Sequence, residues 1–153
     1  MGRAVWGLLV TQFDAVTRAR RWELFREAFP DIDALRVVDL GGSEEFWRHA
    51  PVRPAHVVVV SASGTPGTVL PWLDVATGDP VAHTGRYDVA VCDQLPSHAP
   101  ESAATAVRRC AARYWVRSAS LGHAELRRLF PDAVLRRERR GAVTVSRIAA
   151  KPR

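Results

Sequence analysis

The stretch Leu35–Trp47 constrains the fold of this chain more than any other. Its β-branched run, Val37 and Val38, ends in the carboxylate of Asp39, passes Gly41 and Gly42, and opens a helix at Ser43. Strand, acid, glycine turn and helix in that order build the ligand crevice of an open α/β sheet at the strand's carboxyl end. Gly41 and Gly42 let the backbone turn tightly and approach a ligand with no Cβ between them. Ser43 is the expected N-cap, and Glu44 and Glu45 fall in the first turn, where the helix dipole favours negative charge.

The same acids select the ligand. A pyrophosphate needs the positive helix end for itself, and two carboxylates there repel it. The third glycine of G-x-G-x-x-G is absent as well, so an NAD or FAD fingerprint fails. A ligand with a cationic centre and an amino group suits the stretch better, which points to S-adenosylmethionine (SAM). Here the chain resembles the class I SAM-dependent methyltransferases, whose first motif runs hydrophobic-hydrophobic-Asp/Glu-hydrophobic-Gly-x-Gly. The motif reads Val37-Val38-Asp39-Leu40-Gly41-Gly42-Ser43, with serine in place of the family's last glycine. An α/β protein with a generic glycine turn is the alternative.

The rest of the chain is read in order. Met1–Gln12 is a short extended or helical lead-in that lays Trp6, Leu8 and Leu9 on the body. Asp14–Phe29 has an apolar stripe of Val16, Trp22, Phe25 and Phe29, which predicts a helix closed by Pro30. The resemblance makes it a cover over the cofactor crevice; a plain core-covering helix is the other reading for Trp22 and Phe25. His56–Ser61, with its continuous valines, predicts a parallel strand buried on both faces. The family carries an acid at the end of this second strand for the ribose hydroxyls. This chain has Ser61-Ala62-Ser63-Gly64, where Ser61 offers one weaker hydrogen bond. Ser63–Thr68 reads as a turn where a helix is usual, and Val69–Val75 as the third strand. Thr77-Gly78-Asp79 matches the family's Gly-Asp step, which implies that Asp79 reaches the adenine amino group.

Tyr87–Asp93 reads as the fourth strand, followed by the loop Cys92–His98. The resemblance makes Cys92, Asp93 and Gln94 the floor of the site. His98 is the candidate base, because an imidazole titrates near neutrality, and Asp93 a second one; a surface histidine without a role is the alternative. Glu101–Arg113 predicts a helix, Tyr114–Ser118 the fifth strand and Gly122–Phe130 a short helix. Ala133–Glu138 and Ala142–Ile148 form an antiparallel hairpin. The implied fold is a Rossmann-like methyltransferase sheet, mostly parallel with an antiparallel C-terminal hairpin and helices on both faces. One domain spans 1–153, with 1–30 as helical cover and 35–150 as core. The brief Ala119–Gly122 connection leaves no room for a substrate lid. It points to a shallow site, or one completed by a second copy or a partner chain.

Composition narrows the function classes. At 153 residues, with 47% hydrophobic and 25% charged, the chain resembles an ordinary soluble globular protein, and no apolar run spans a bilayer. Cys92 and Cys110 have no metal spacing and suit reduced thiols in a cytoplasm. The net charge of +6 invites nucleic acid. Against it, the arginines are scattered, no aromatic-basic interleaving is present, and Arg136–Arg140, broken by Glu138, reads as a solvated hairpin. The charge suits an acidic substrate or carrier protein equally.

Three readings follow. The first is a methyltransferase acting on a small molecule, with Asp39, Gly41, Gly42, Ser43, Ser61, Asp79, Cys92 and Gln94 toward the cofactor. An alanine- and arginine-rich composition associates it with bacterial secondary metabolism. The second keeps the fold without methyl transfer, as a natural-product cyclase whose pocket is walled by Trp22, Phe46, Trp47 and Trp115. The third is a non-catalytic partner subunit.

Overall fold

The computed structural model describes the backbone of residues 2–153 and the side chains from residue 15 onward. The expected packing of Trp6, Leu8 and Leu9 falls outside the described side chains. Helix α1 spans Gly2–Ala28, so the lead-in and the first helix are one element. No proline interrupts that span, and Pro30 follows its end.

The strands are β1 (Arg36–Leu40), β2 (His56–Ser61), β3 (Gly67–Leu70), β4 (Leu73–Thr77), β5 (Val89–Cys92), β6 (Arg113–Ser118), β7 (Val134–Arg140) and β8 (Val143–Lys151). They form one sheet in the order β3-β4-β2-β1-β5-β6-β8-β7. The pairs β1–β2, β1–β5, β2–β4 and β5–β6 are parallel, whereas β8 runs antiparallel to both β6 and β7. Helices α2 (Glu44–Arg48), α3 (Pro100–Cys110) and α4 (His123–Leu129) complete the fold.

Alternation along the strands divides the core in two. Val38, Leu40, Ala90, Cys92, Tyr114 and Val116 face α3 and α4, where Ala103, Ala104, Val107, Leu126 and Leu129 close over them. Val37, Val57, Val59, Val89, Val91 and Trp115 face the other way and are covered by Trp22 and Phe25 of α1, Phe29 just past its end, and Trp47 of α2. The sheet thus carries helices on both faces, and the antiparallel C-terminal hairpin stands as expected.

Two local expectations are corrected. The span Val69–Val75 is not one strand: Pro71 and Trp72 turn the chain, so β3 and β4 form an antiparallel hairpin. Proline has no N–H for a ladder, which is why the strand breaks there. Consequently β2 is followed by an edge strand instead of a helix, and its α3-side face is only partly covered. Val57, Val59 and Val60 are buried, but His56 and Val58 stay half-exposed. The valine run is therefore not sealed on both faces.

Candidate active site

Asp39 is the penultimate residue of β1 and is 1% exposed. After Leu40 the chain turns at Gly41, whose φ of +84° suits glycine, and the Gly41 N–H donates to the Val60 carbonyl at 2.8 Å. Gly42 is required for another reason. A Cβ there would lie 1.9 Å from Asp39 Oδ2, so the carboxylate occupies the space a side chain would take. Ser43 caps α2 by accepting the Phe46 N–H at 3.3 Å, with Glu44 and Glu45 in the first turn as expected.

That turn aims α2 back over the strand. Trp47 Nε1–H donates to Asp39 Oδ2 at 2.8 Å, while Asp39 Oδ1 is buried and has no partner among the described residues. Burial raises the Asp39 carboxyl to about 7; the Trp47 bond opposes this and the nearby Asp93 charge adds to it. Asp93 itself is tied to Arg117 through two bonds, Nε to Oδ1 at 3.0 Å and Nη2 to Oδ2 at 2.9 Å. Register explains this pair: Cys92 lies opposite Val116 in β5–β6, which brings the next residues together. Sequence reading missed Arg117, whose only signal was a charge inside an otherwise apolar strand.

Two cavities meet at the carboxyl ends of β1 and β5. One, of about 280 Å³, is lined by Asp39, Gly41, Gly42, Ser43, Phe46, Asp93 and Gln94. The other, of about 270 Å³, includes Gly41, Asp79, Cys92, Gln94, His98 and the α3 residues Ala103 and Ala106 in its wall. Gly41 and Gln94 belong to both, so the two form one crevice. Asp79 points its Oδ1 at the Val81 N–H, 3.0 Å away, and caps the 3₁₀ turn Pro80–Ala82. His98 is exposed on the rim. Burial, together with Asp39 and Asp93, pushes the Cys92 thiol up to about 12, which makes it a neutral wall and not a nucleophile.

Ser61 stands apart from these residues. It ends β2, accepts the Ser63 N–H at 3.3 Å, and lines neither cavity. Trp22, Phe46 and Trp47 do come together, with centroids 5.1–6.0 Å apart, and Phe25 links them to Trp115. The space they leave is about 10 Å³, the room of a single water. These rings fill their own pocket. Beside them Arg21 of α1 donates to both oxygens of Glu138, at 3.1 and 2.9 Å, and Ser146 Oγ–H donates to Oε1 of the same carboxylate. Glu138 is therefore buried under α1, unlike the solvated hairpin expected for Arg136–Arg140.

No family model matches this sequence, and no curated protein matches it. Solved structures do. The magnesium protoporphyrin IX methyltransferase of Synechocystis, solved with bound SAM, superposes with a TM-score of 0.62 at 17% identity, over 98% of this chain and 83% of that one. The N-methyltransferase NodS from Bradyrhizobium japonicum gives 0.56 at 12% identity, over 90% and 96%. The N-terminal domain of EvdMO1, solved in the presence of S-adenosylhomocysteine (SAH) and D-fucose, gives 0.58 at 16%, over 86% and 80%. Strand order, the reversed β8 and these superpositions agree that the chain has the class I methyltransferase fold.

Proposed function

We propose that this chain is a SAM-dependent methyltransferase of small-molecule substrates, acting as one domain in which residues 1–30 cover the core. The observation that carries the reading is Asp39, buried in the wall of the crevice with one carboxylate oxygen that has no partner among the described residues. A buried anion needs a cationic donor, and the amino group of SAM is one. Gly41 and Gly42 keep the wall beside it open. Asp79 and Gln94 would hold the adenine end against the α3 alanines, and Cys92 would be a neutral floor. When bound, SAM supplies an activated methyl group on a sulfonium.

The chain's own residues would then position an acceptor, a proximity effect. His98 on the rim is the candidate base that takes the acceptor's proton. Asp93 serves less well, because its two bonds to Arg117 occupy both oxygens. Bacterial secondary metabolism remains the setting proposed from composition.

A second reading, the same fold with cyclase or partner-subunit chemistry, draws on Ser61. A hydroxyl outside the crevice leaves the ribose without a charged clamp. Isothermal titration with SAM and SAH separates the two. Binding that Asp39→Asn abolishes supports methyl transfer, and silence at millimolar ligand favours the second reading.

A further inference from the structure

We propose that the groove between α1 and the edge strand β7 docks an acidic protein segment, which adds to the sheet as an extended strand beside β7. This goes beyond the methyl transfer and does not depend on it. Among the described residues β7 is the last strand of the sheet and pairs only with β8, which leaves its outer backbone groups without a strand partner. The groove encloses about 520 Å³, with Val16, Thr17, Arg20 and Leu24 on one wall and residues 135–139 on the other. Arg136, Arg137 and Arg139 are exposed and have no hydrogen-bond or ion-pair partner among the described residues.

Arginines on an edge strand also block self-pairing, and that role alone explains the charge. It does not explain the valines. Val16, Val134 and Val143 are the only exposed large apolar side chains among the described residues. Val16 lies in the groove, Val134 begins β7, and Val143 faces Arg140 across the hairpin end. Exposed valines around the groove, on α1 and at the two ends of the β7–β8 hairpin, together with unpartnered guanidinium groups on the β7 edge, suit a strand with acidic and apolar side chains, held by main-chain bonds.

Charge complementarity decides the occupant. A second copy would set arginines of one β7 opposite arginines of the other, on a chain already at +6. A nucleic-acid strand would leave the valines in water and finds no aromatic ring among the lining residues on which to stack bases.

The test uses the full chain and a fluorescent peptide of about ten residues, the length of a strand with flanks, alternating glutamate and valine. Anisotropy should show binding that weakens as salt rises, and backbone amides of β7 should exchange more slowly in the complex. The triple variant Arg136→Gln/Arg137→Gln/Arg139→Gln should weaken binding about tenfold or more. Val16→Ser/Val134→Ser should weaken it as well, both variants melting like the parent. Absence of binding, or β7 amides that exchange no slower, overturns the proposal. So does an oligouridylate that binds at least as tightly and ignores the valine substitutions, which would make the edge a phosphate-binding surface.

Discussion

Asp39 carries opposite consequences for stability and for ligand binding. Its folded carboxyl titrates near 7 and its unfolded one near 4, so between those values the folded state holds the extra proton. Stability of the ligand-free protein should therefore fall as pH rises from about 4 to 7, by up to about 1.4 kcal/mol per unit, and level off above. Asp39→Asn removes that loss. It should raise the melting temperature at pH 8 by about 2–4 °C per kcal/mol recovered, while SAM binding disappears. A cationic ligand favours the ionised form, so SAM affinity should drop below pH 7 by up to about tenfold per unit, with proton release in calorimetry. Affinity flat from pH 5 to 8 would remove the ammonium from this carboxylate. Gly42→Ala tests the same contact sterically. The added methyl meets Asp39 Oδ2, and denaturant melts should show a loss of about 1–3 kcal/mol.

Among elements, α1 is tied to the sheet by an ion pair whose carboxylate is buried and whose guanidinium is partly so. Arg21 is 18% and Glu138 4% exposed at the side chain. Arg21→Met leaves Glu138 buried and charged, and urea titration should show a loss of about 3–5 kcal/mol. Arg21→Met/Glu138→Met should recover most of it, since the isolated anion is gone; equal loss in both variants would mean that the stranded Glu138 charge is not the source of the loss. None of this was legible in the sequence. Glu138 sits among arginines and reads as surface until β7 is known to lie under α1. Local signals served better. Val37-Val38-Asp39 before two glycines located β1, its turn and the crevice acid, because one short segment carries all three. Pro71 is the local signal that splits Val69–Val75, since a proline cannot donate to a ladder. Arg117 and the indole of Trp47 meet Asp93 and Asp39 only through register and helix return, which no linear pattern displays.

Across the whole molecule, cover over the sheet is uneven. β1, β5 and β6 lie between α3 and α4 on one face and α1 and α2 on the other, and their inward residues are almost wholly buried. Toward β2, β4 and β3 the helix-for-hairpin exchange strips one face. Val58, Asp74 and Ala76 are partly exposed there, and β3 is a four-residue edge strand with a register shift. Apolar burial is what raises the free energy of local opening, so the two halves should not open together. Native-state hydrogen exchange should find the slowest amides in β5 and β6, exchanging only through global unfolding. Amides of β3 should be the fastest of any strand, and those of β4 intermediate. Because Gly41 bonds to Val60 and Gly78 to Ser61, β2 fastens both the Asp39 turn and the Asp79 loop to the sheet. A ligand in the crevice should therefore slow exchange in β2 and β4 more than in β5. Uniform protection across the sheet would show that the hairpin seals its face as well as a helix does, and that the crevice is rigid before any ligand arrives.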